Sequence, residues 1–113
     1  MQVYNTLATA SIYKYDMEKA KEYLEIVTGM TERNLEYELY TCINAAAILY
    51  VERDIQGVKV QLKHIEELFQ KGKNYYAMYQ CVNTIFDVKK LYDLEELNLE
   101  IWEKVKRGRL NGE

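Results

Sequence analysis

The chain has 113 residues, 49% of them hydrophobic and 29% charged, with a net charge of −3. That length holds one domain, and the apolar content excludes a disordered chain. The acidic excess is mild and unclustered, which speaks against nucleic acid as the main partner, and no apolar run approaches the ~20 residues of a membrane span.

Proline is absent and there are five glycines, so little interrupts long helices. Cys42 and Cys81 lie in helical stretches with no signal peptide ahead of them. They read as reduced core residues of a cytoplasmic protein. Abundant Lys, Glu, Ile, Asn and Tyr hint at an AT-rich bacterial or phage genome.

Residues 2–14 are expected to form the first helix, with Val3, Leu7, Ala10 and Tyr13 at helical spacing. It begins almost at Met1 without an evident cap, so it is expected to pack on something outside this chain, or the chain to be part of a longer protein. Asp16 is placed to cap the next helix, residues 17–28, through a backbone N–H. Met17, Ala20, Leu24 and Val27 share one face of it, and Gly29 stops it. Thr31 opens an incomplete capping box. A helix from about residue 33 to Glu52 follows, whose Ala45-Ala46-Ala47 allows close approach of a neighbour. Asp54 is expected to cap residues 55–71, with Ile55, Val58, Leu62 and Ile65 inward, and Lys71-Gly72-Lys73 to end them. Asn74 is a cap candidate for residues 75–91. Asp93 is expected to cap residues 94–107, with Leu94, Leu97, Ile101 and Val105 inward, and residues 108–113 to fray as a tail.

Asp16, Asp54 and Asp93 stand 38 and 39 residues apart. Aligned on them, Met17, Ile55 and Leu94 coincide, as do Ala20, Val58 and Leu97, then Leu24, Leu62 and Ile101. Upstream, Tyr4, Cys42 and Cys81 coincide, as do Thr6, Asn44 and Asn83, and Ala8, Ala46 and Ile85. Three copies of one helical hairpin, units 1–30, 31–72 and 73–107, account for the pattern. A single hairpin cannot bury its apolar face, so stacked copies are the expected architecture.

On these residues the chain resembles the tetratricopeptide repeat. Tyr4, Leu7 and Ala8 stand where that family has an aromatic residue, a leucine and a small residue. Asp16, Ala20 and Leu24 stand at its turn, its small residue and its large apolar residue. The second unit keeps Ala45, Ala46, Leu49 and Leu62 but has Val58 for the alanine. The third has Ile85 and Leu97 at the small positions. The closing proline is missing throughout, and the period exceeds the family's ~34 residues. Long, proline-poor repeats of this kind are similar to the sensor domains of the peptide-responsive regulators of bacteria and phages, the Rap, PlcR, NprR and arbitrium-receptor group. The resemblance implies an all-α, right-handed array of three helical hairpins, about six helices, that binds a protein or peptide. No DNA-binding helix-turn-helix precedes the repeats here.

In such arrays the first helix of each unit lines the concave face. That stripe is Tyr40, Asn44, Ala47 and Val51 in the second unit, and Tyr79, Asn83, Phe86 and Lys90 in the third. Asn44 and Asn83 share a register, and a side-chain amide can donate and accept together. The pair therefore suits the backbone of an extended peptide, while Tyr40, Tyr79 and Phe86 shape pockets; the competing reading is that both bond neighbouring helices. The family's carboxylate clamp is not expected, because Tyr79 and Asn83 replace its basic residues. Lys89 and Lys90 read as a solvated pair.

Catalysis and metal binding are not expected. His64 with Glu67 falls short of a zinc site, and neither cysteine has a base beside it. Tyr23, Tyr37, Tyr40, Tyr50, Tyr75, Tyr76 and Tyr79 suit core edges or interfaces. Tyr4 in the uncapped start, and Leu99 with Trp102 on the last helix, are expected to carry self-association through the ends of the array. The basic run Lys104, Lys106, Arg107 and Arg109 suits a helix C-terminus. The reading is a peptide- or protein-binding module, with an oligomerisation scaffold lacking a groove as the alternative.

Overall fold

The computed structural model describes residues 3–30, 34–73, 75–100 and 102–104. They form α1 (Val3–Tyr13), α2 (Met17–Thr28), α3 (Leu35–Val51), α4 (Ile55–Gly72) and α5 (Tyr75–Leu91). A sixth helical piece covers residues 100 and 102–104. The described residues contain no strand, and the fold is all-α. The caps expected at Thr31 and Asn74, the inward Ile101 and Val105, the basic Lys106, Arg107 and Arg109, and the tail 108–113 lie outside the described residues.

The central element is α3, which packs against α1, α2, α4 and α5. Asn34 caps it by accepting from the backbone N–H of Tyr37 at 2.7 Å, so its start lies just beyond Thr31. Its core residues Leu39, Ile43, Ala46, Ala47 and Ile48 meet Val58, Leu62 and Ile65 of α4 and Cys81, Val82, Ile85 and Val88 of α5 in one cluster. Gly72 closes the second hairpin: a Cβ there would lie 2.2 Å from the Leu35 side chain. Any larger residue there would force the Leu35 side chain to move.

The first two interhelical turns share one construction. Tyr15 and Arg53 adopt left-handed φ values of 63° and 61°. The N–H of Tyr15 donates to Ile12 O at 3.2 Å and that of Asp16 to Ser11 O at 2.9 Å. Arg53 and Asp54 repeat this with Tyr50 O and Leu49 O, both at 2.9 Å. These are Schellman C-caps. The next residue, an aspartate in each case, then caps the following helix: Asp16 accepts from the N–H of Lys19 at 3.1 Å and Asp54 from that of Gly57 at 3.0 Å.

The third turn corrects the expected cap. Here the left-handed residue is Asp93 itself, with φ of 51°, and the N–H of Leu94 donates to Lys89 O at 2.9 Å. The structural equivalent of Asp16 and Asp54 is therefore Leu94, one residue later than the aspartate spacing places it. Leucine has no oxygen to receive the first free N–H groups of a helix. Residues 94–99 accordingly run without helical structure, against the expected helix over 94–107. Leu94 and Leu97 are still buried, and Trp102 closes the core with its ring 5.5 Å from that of Phe86.

Two inward faces are also corrected. In α1 the buried stripe is Asn5, Ala8 and Ile12, while Val3 and Leu7 are 55% and 37% exposed. A polar residue holds a core position there, so apolar spacing pointed to the neighbouring face. Ile55 is exposed, whereas Val58, Leu62 and Ile65 of the same helix are buried as expected.

The turn geometry separates the three aspartates. Asp54→Ala removes a cap and should lower the stability by about 1 kcal/mol in urea melts with an unchanged slope. Asp93→Gly should leave the midpoint unchanged or raise it, because glycine adopts the left-handed conformation without a steric cost. A loss at Asp93 equal to that at Asp54 would contradict the shifted register.

Candidate functional site

Aromatic side chains tie the C-terminal ends of α1 and α5 together. The Tyr13 hydroxyl donates to Asp87 at 2.8 Å, the Tyr92 hydroxyl to Ile12 O at 2.6 Å, and the Tyr15 hydroxyl to Leu91 O at 3.3 Å. The Tyr15 and Tyr92 rings lie 5.1 Å apart. Joined at these ends, α1 and α5 leave a cleft of about 490 Å³ toward their N-terminal turns. Its walls are Thr6, Thr9 and Tyr13 of α1, Glu36 and Tyr40 of α3, and Tyr76 and Gln80 of α5. The helices contribute these residues at i, i+4 spacing in α3 and α5, which keeps each pair on one face.

Beneath the cleft lies a polar network. Asn44 is 1% exposed and donates to Asn5 O at 3.0 Å and to Asn5 Oδ1 at 3.1 Å. Its own oxygen accepts from the Thr9 hydroxyl at 2.7 Å. Asn5 donates to the Thr41 hydroxyl at 3.2 Å, and Thr41 to Tyr37 O at 2.9 Å. The side-chain groups of this network thus find partners inside the protein, as buried polar atoms require.

That network corrects the expected stripe on α3. Tyr40 is half-buried and lines the cleft, but Asn44 and Ala47 sit beneath its surface. Asn44 presents nothing to a ligand, because α1 consumes its hydrogen-bonding groups. On α5 the cleft is met by Tyr76 and Gln80, which the stripe of Tyr79, Asn83, Phe86 and Lys90 passed over. Tyr79 is 44% exposed outside the lining, Asn83 is half-buried, and Lys90 is exposed. Phe86 packs on Trp102. No spacing along the chain marked Tyr76 and Gln80, because the cleft exists only once α1 and α5 meet.

The residues assigned to self-association divide. Trp102 is 1% exposed and belongs to this chain's own core, not to an outer strip. Leu99 is half-buried against that core. Tyr4 is half-buried with its ring 6.2 Å from Tyr23, beside the exposed Val3 and Leu7.

Burial governs the titrating groups. The Tyr13 phenol is pushed up to about 12, first by burial and then by its bond to Asp87 and the charge there. The Tyr50 phenol is raised to about 12 by burial and then by the charge of Glu96, and its hydroxyl donates to Glu95 O. The Tyr40 phenol is raised by burial, then by Glu36, then by Tyr76. Both cysteines are buried free thiols. Against the expectation that neither cysteine has a base beside it, Cys42 Sγ lies 3.5 Å from His64 Nδ1, one helix away on α4; burial followed by the proximity of Cys42 pushes the Cys81 thiol up to about 12. A thiol so raised is protonated and unreactive at neutral pH. Among the described residues no group of three or more His, Cys, Asp and Glu side chains is arranged to hold a metal ion, and no helix is long and apolar enough to cross a membrane.

Asn44→Ala leaves the partners Asn5 and Thr9 with unmet bonds and should cost about 1–3 kcal/mol of stability, measured by urea denaturation. An unchanged midpoint would place Asn44 outside the network. Alkaline pH gives a second check. Tyr13 and Tyr50 hold their protons more tightly folded than unfolded, so their contribution is intact below about pH 10, the unfolded value, and is lost as pH rises toward their folded values. Tyr13→Phe should flatten the decline of the thermal midpoint between about pH 10 and 12. No family model, curated protein or solved structure matches this chain.

Proposed function

We propose that this chain is a non-enzymatic module that binds a protein segment or short peptide in the cleft between α1, α3 and α5. The observation that carries the reading is the cleft itself. The helices α1, α3 and α5 each contribute to its wall, which combines rings (Tyr13, Tyr40, Tyr76) with amide and hydroxyl groups (Gln80, Thr6, Thr9). Apolar surface with a few polar groups is the usual make-up of a ligand site of this size. Tyrosine adds large contact area at a low entropic cost. The buried Asn5–Asn44–Thr41 network holds the floor rigid, so little ordering is left to oppose binding. The tetratricopeptide-like pattern supports the same reading. It extends it to the sensor part of a cytoplasmic peptide-responsive regulator of a bacterium or phage.

A second reading, self-association, is favoured by a separate surface: the exposed Val3 and Leu7 of α1 beside the Tyr4–Tyr23 pair. It uses the outer edge of α1 and leaves the cleft free.

The test is capture from a random hexapeptide pool by the intact chain, with binding of the recovered peptides measured by anisotropy. Tyr76→Ala changes a side chain that is 68% exposed and should leave the fold intact. It and Tyr40→Ala should each weaken binding by about ten-fold, as removal of an aromatic contact does. Val60→Ser, on the exposed face of α4, should have no effect. Recovery of no peptide, or equal effects of all three substitutions, would overturn the reading.

A further inference from the structure

Charge on the cleft wall is one-sided. Among the described residues that line it, Glu36 is the single ionisable carboxylate or amine, and no lysine, arginine or histidine joins it. Among the described residues the Glu36 carboxylate takes part in no ion pair and no side-chain hydrogen bond. The second carboxylate nearby, Asp87, accepts from Tyr13 at the closed end of the cleft and adds negative charge there. Glu36 and Tyr40 lie one helical turn apart on one face of α3, and Tyr76 faces them from α5. All three line one cleft, and after burial the neighbouring Glu36 and then Tyr76 hold the Tyr40 phenol above its ordinary value.

An uncommitted carboxylate beside two phenol rings suits a cation. The carboxylate supplies the opposite charge and accepts its hydrogen bonds, and the ring faces attract it through their quadrupole. A carboxylate or phosphate ligand would meet repulsion from Glu36 with no positive charge among the described lining residues to offset it. We propose that the cleft selects a peptide bearing a basic side chain, arginine or lysine, whose cation rests on Glu36 against the Tyr40 and Tyr76 rings. The inference rests on the peptide-binding reading and specifies its ligand. Glu36 also stands in the first turn of α3, where its charge suits the helix dipole. Glu38 shares that turn but not the cleft, so it separates the two roles.

The experiment uses four hexapeptide pools, identical except for a central arginine, lysine, citrulline or glutamate, and the intact chain. The arginine and lysine pools should be retained and the citrulline and glutamate pools lost. For the tightest arginine peptide, Glu36→Gln should weaken binding by about ten-fold, the size expected for one charge-assisted hydrogen bond. Glu38→Gln should not weaken it, and urea melts of both variants check that the fold persists. Raising the salt from about 0.05 to 0.3 M should weaken wild-type binding more than that of Glu36→Gln. If citrulline peptides bind as well as arginine peptides and Tyr76→Ala still abolishes binding, the cation seat is wrong and the cleft reading stands. If no pool binds, or binding ignores Tyr76→Ala, both are wrong. Equal effects of Glu36→Gln and Glu38→Gln would assign Glu36 to the helix alone and overturn the proposal.

Discussion

Ten of the seventeen residues of α3 are buried, among them Thr41 and Asn44. A helix enclosed on that scale has no water to satisfy its polar side chains, so another element must supply their partners. Asn5 and Thr9 of α1 do so. That requirement fixes how α1 lies on α3, because a buried amide with mates at 3.0, 3.1 and 2.7 Å tolerates little sliding. Apolar packing alone would permit neighbouring registers. The polar network selects one, and the position of α1 sets one wall of the cleft.

The third hairpin departs from the first two through one residue. Where Asp16 and Asp54 follow the left-handed turn residue, Asp93 occupies it. The chain beyond loses its cap and runs along the edge of the core as the non-helical segment 94–99, pinned by Leu94, Leu97 and the bond from Tyr50 to Glu95 O. Trp102 then arrives over Phe86 and seals the end that a regular third hairpin would leave open. The third turn thus breaks the symmetry of the first two.

The same asymmetry shapes the cleft. Tyr15 and Tyr92, one from each end of the fold, meet at 5.1 Å and join α1 to α5. With those ends joined, Glu36 and Tyr40 of α3 and Tyr76 and Gln80 of α5 line the cleft together with Thr6, Thr9 and Tyr13 of α1. A floor of satisfied amides thus lies beneath the tyrosines and the Glu36 carboxylate of the cleft.

The sequence by itself determined the all-α class, the order of the helices and the capping roles of Asp16 and Asp54. Helix capping and apolar periodicity are local, reaching only three or four residues along the chain. The ends of α2 and α5 and the inward face of Val58, Leu62 and Ile65 were legible for the same reason. Tertiary structure decided what those rules do not contain. Asn5 and Asn44 look alike to a local reading whether they face water or each other, and only the approach of α1 to α3 buries them. Asp93 has the composition of a cap, but the turn places it one position early, where its carboxylate has no helix to serve. Trp102 is apolar enough for an interface, yet the uncapped segment folds it inward. Tyr76 and Gln80 reach the cleft because residues 74 positions and more apart, Tyr13 with Asp87 and Tyr15 with Leu91, bond across the fold. The side chains that line the cleft were chosen by those long-range contacts, which no spacing along the chain encodes.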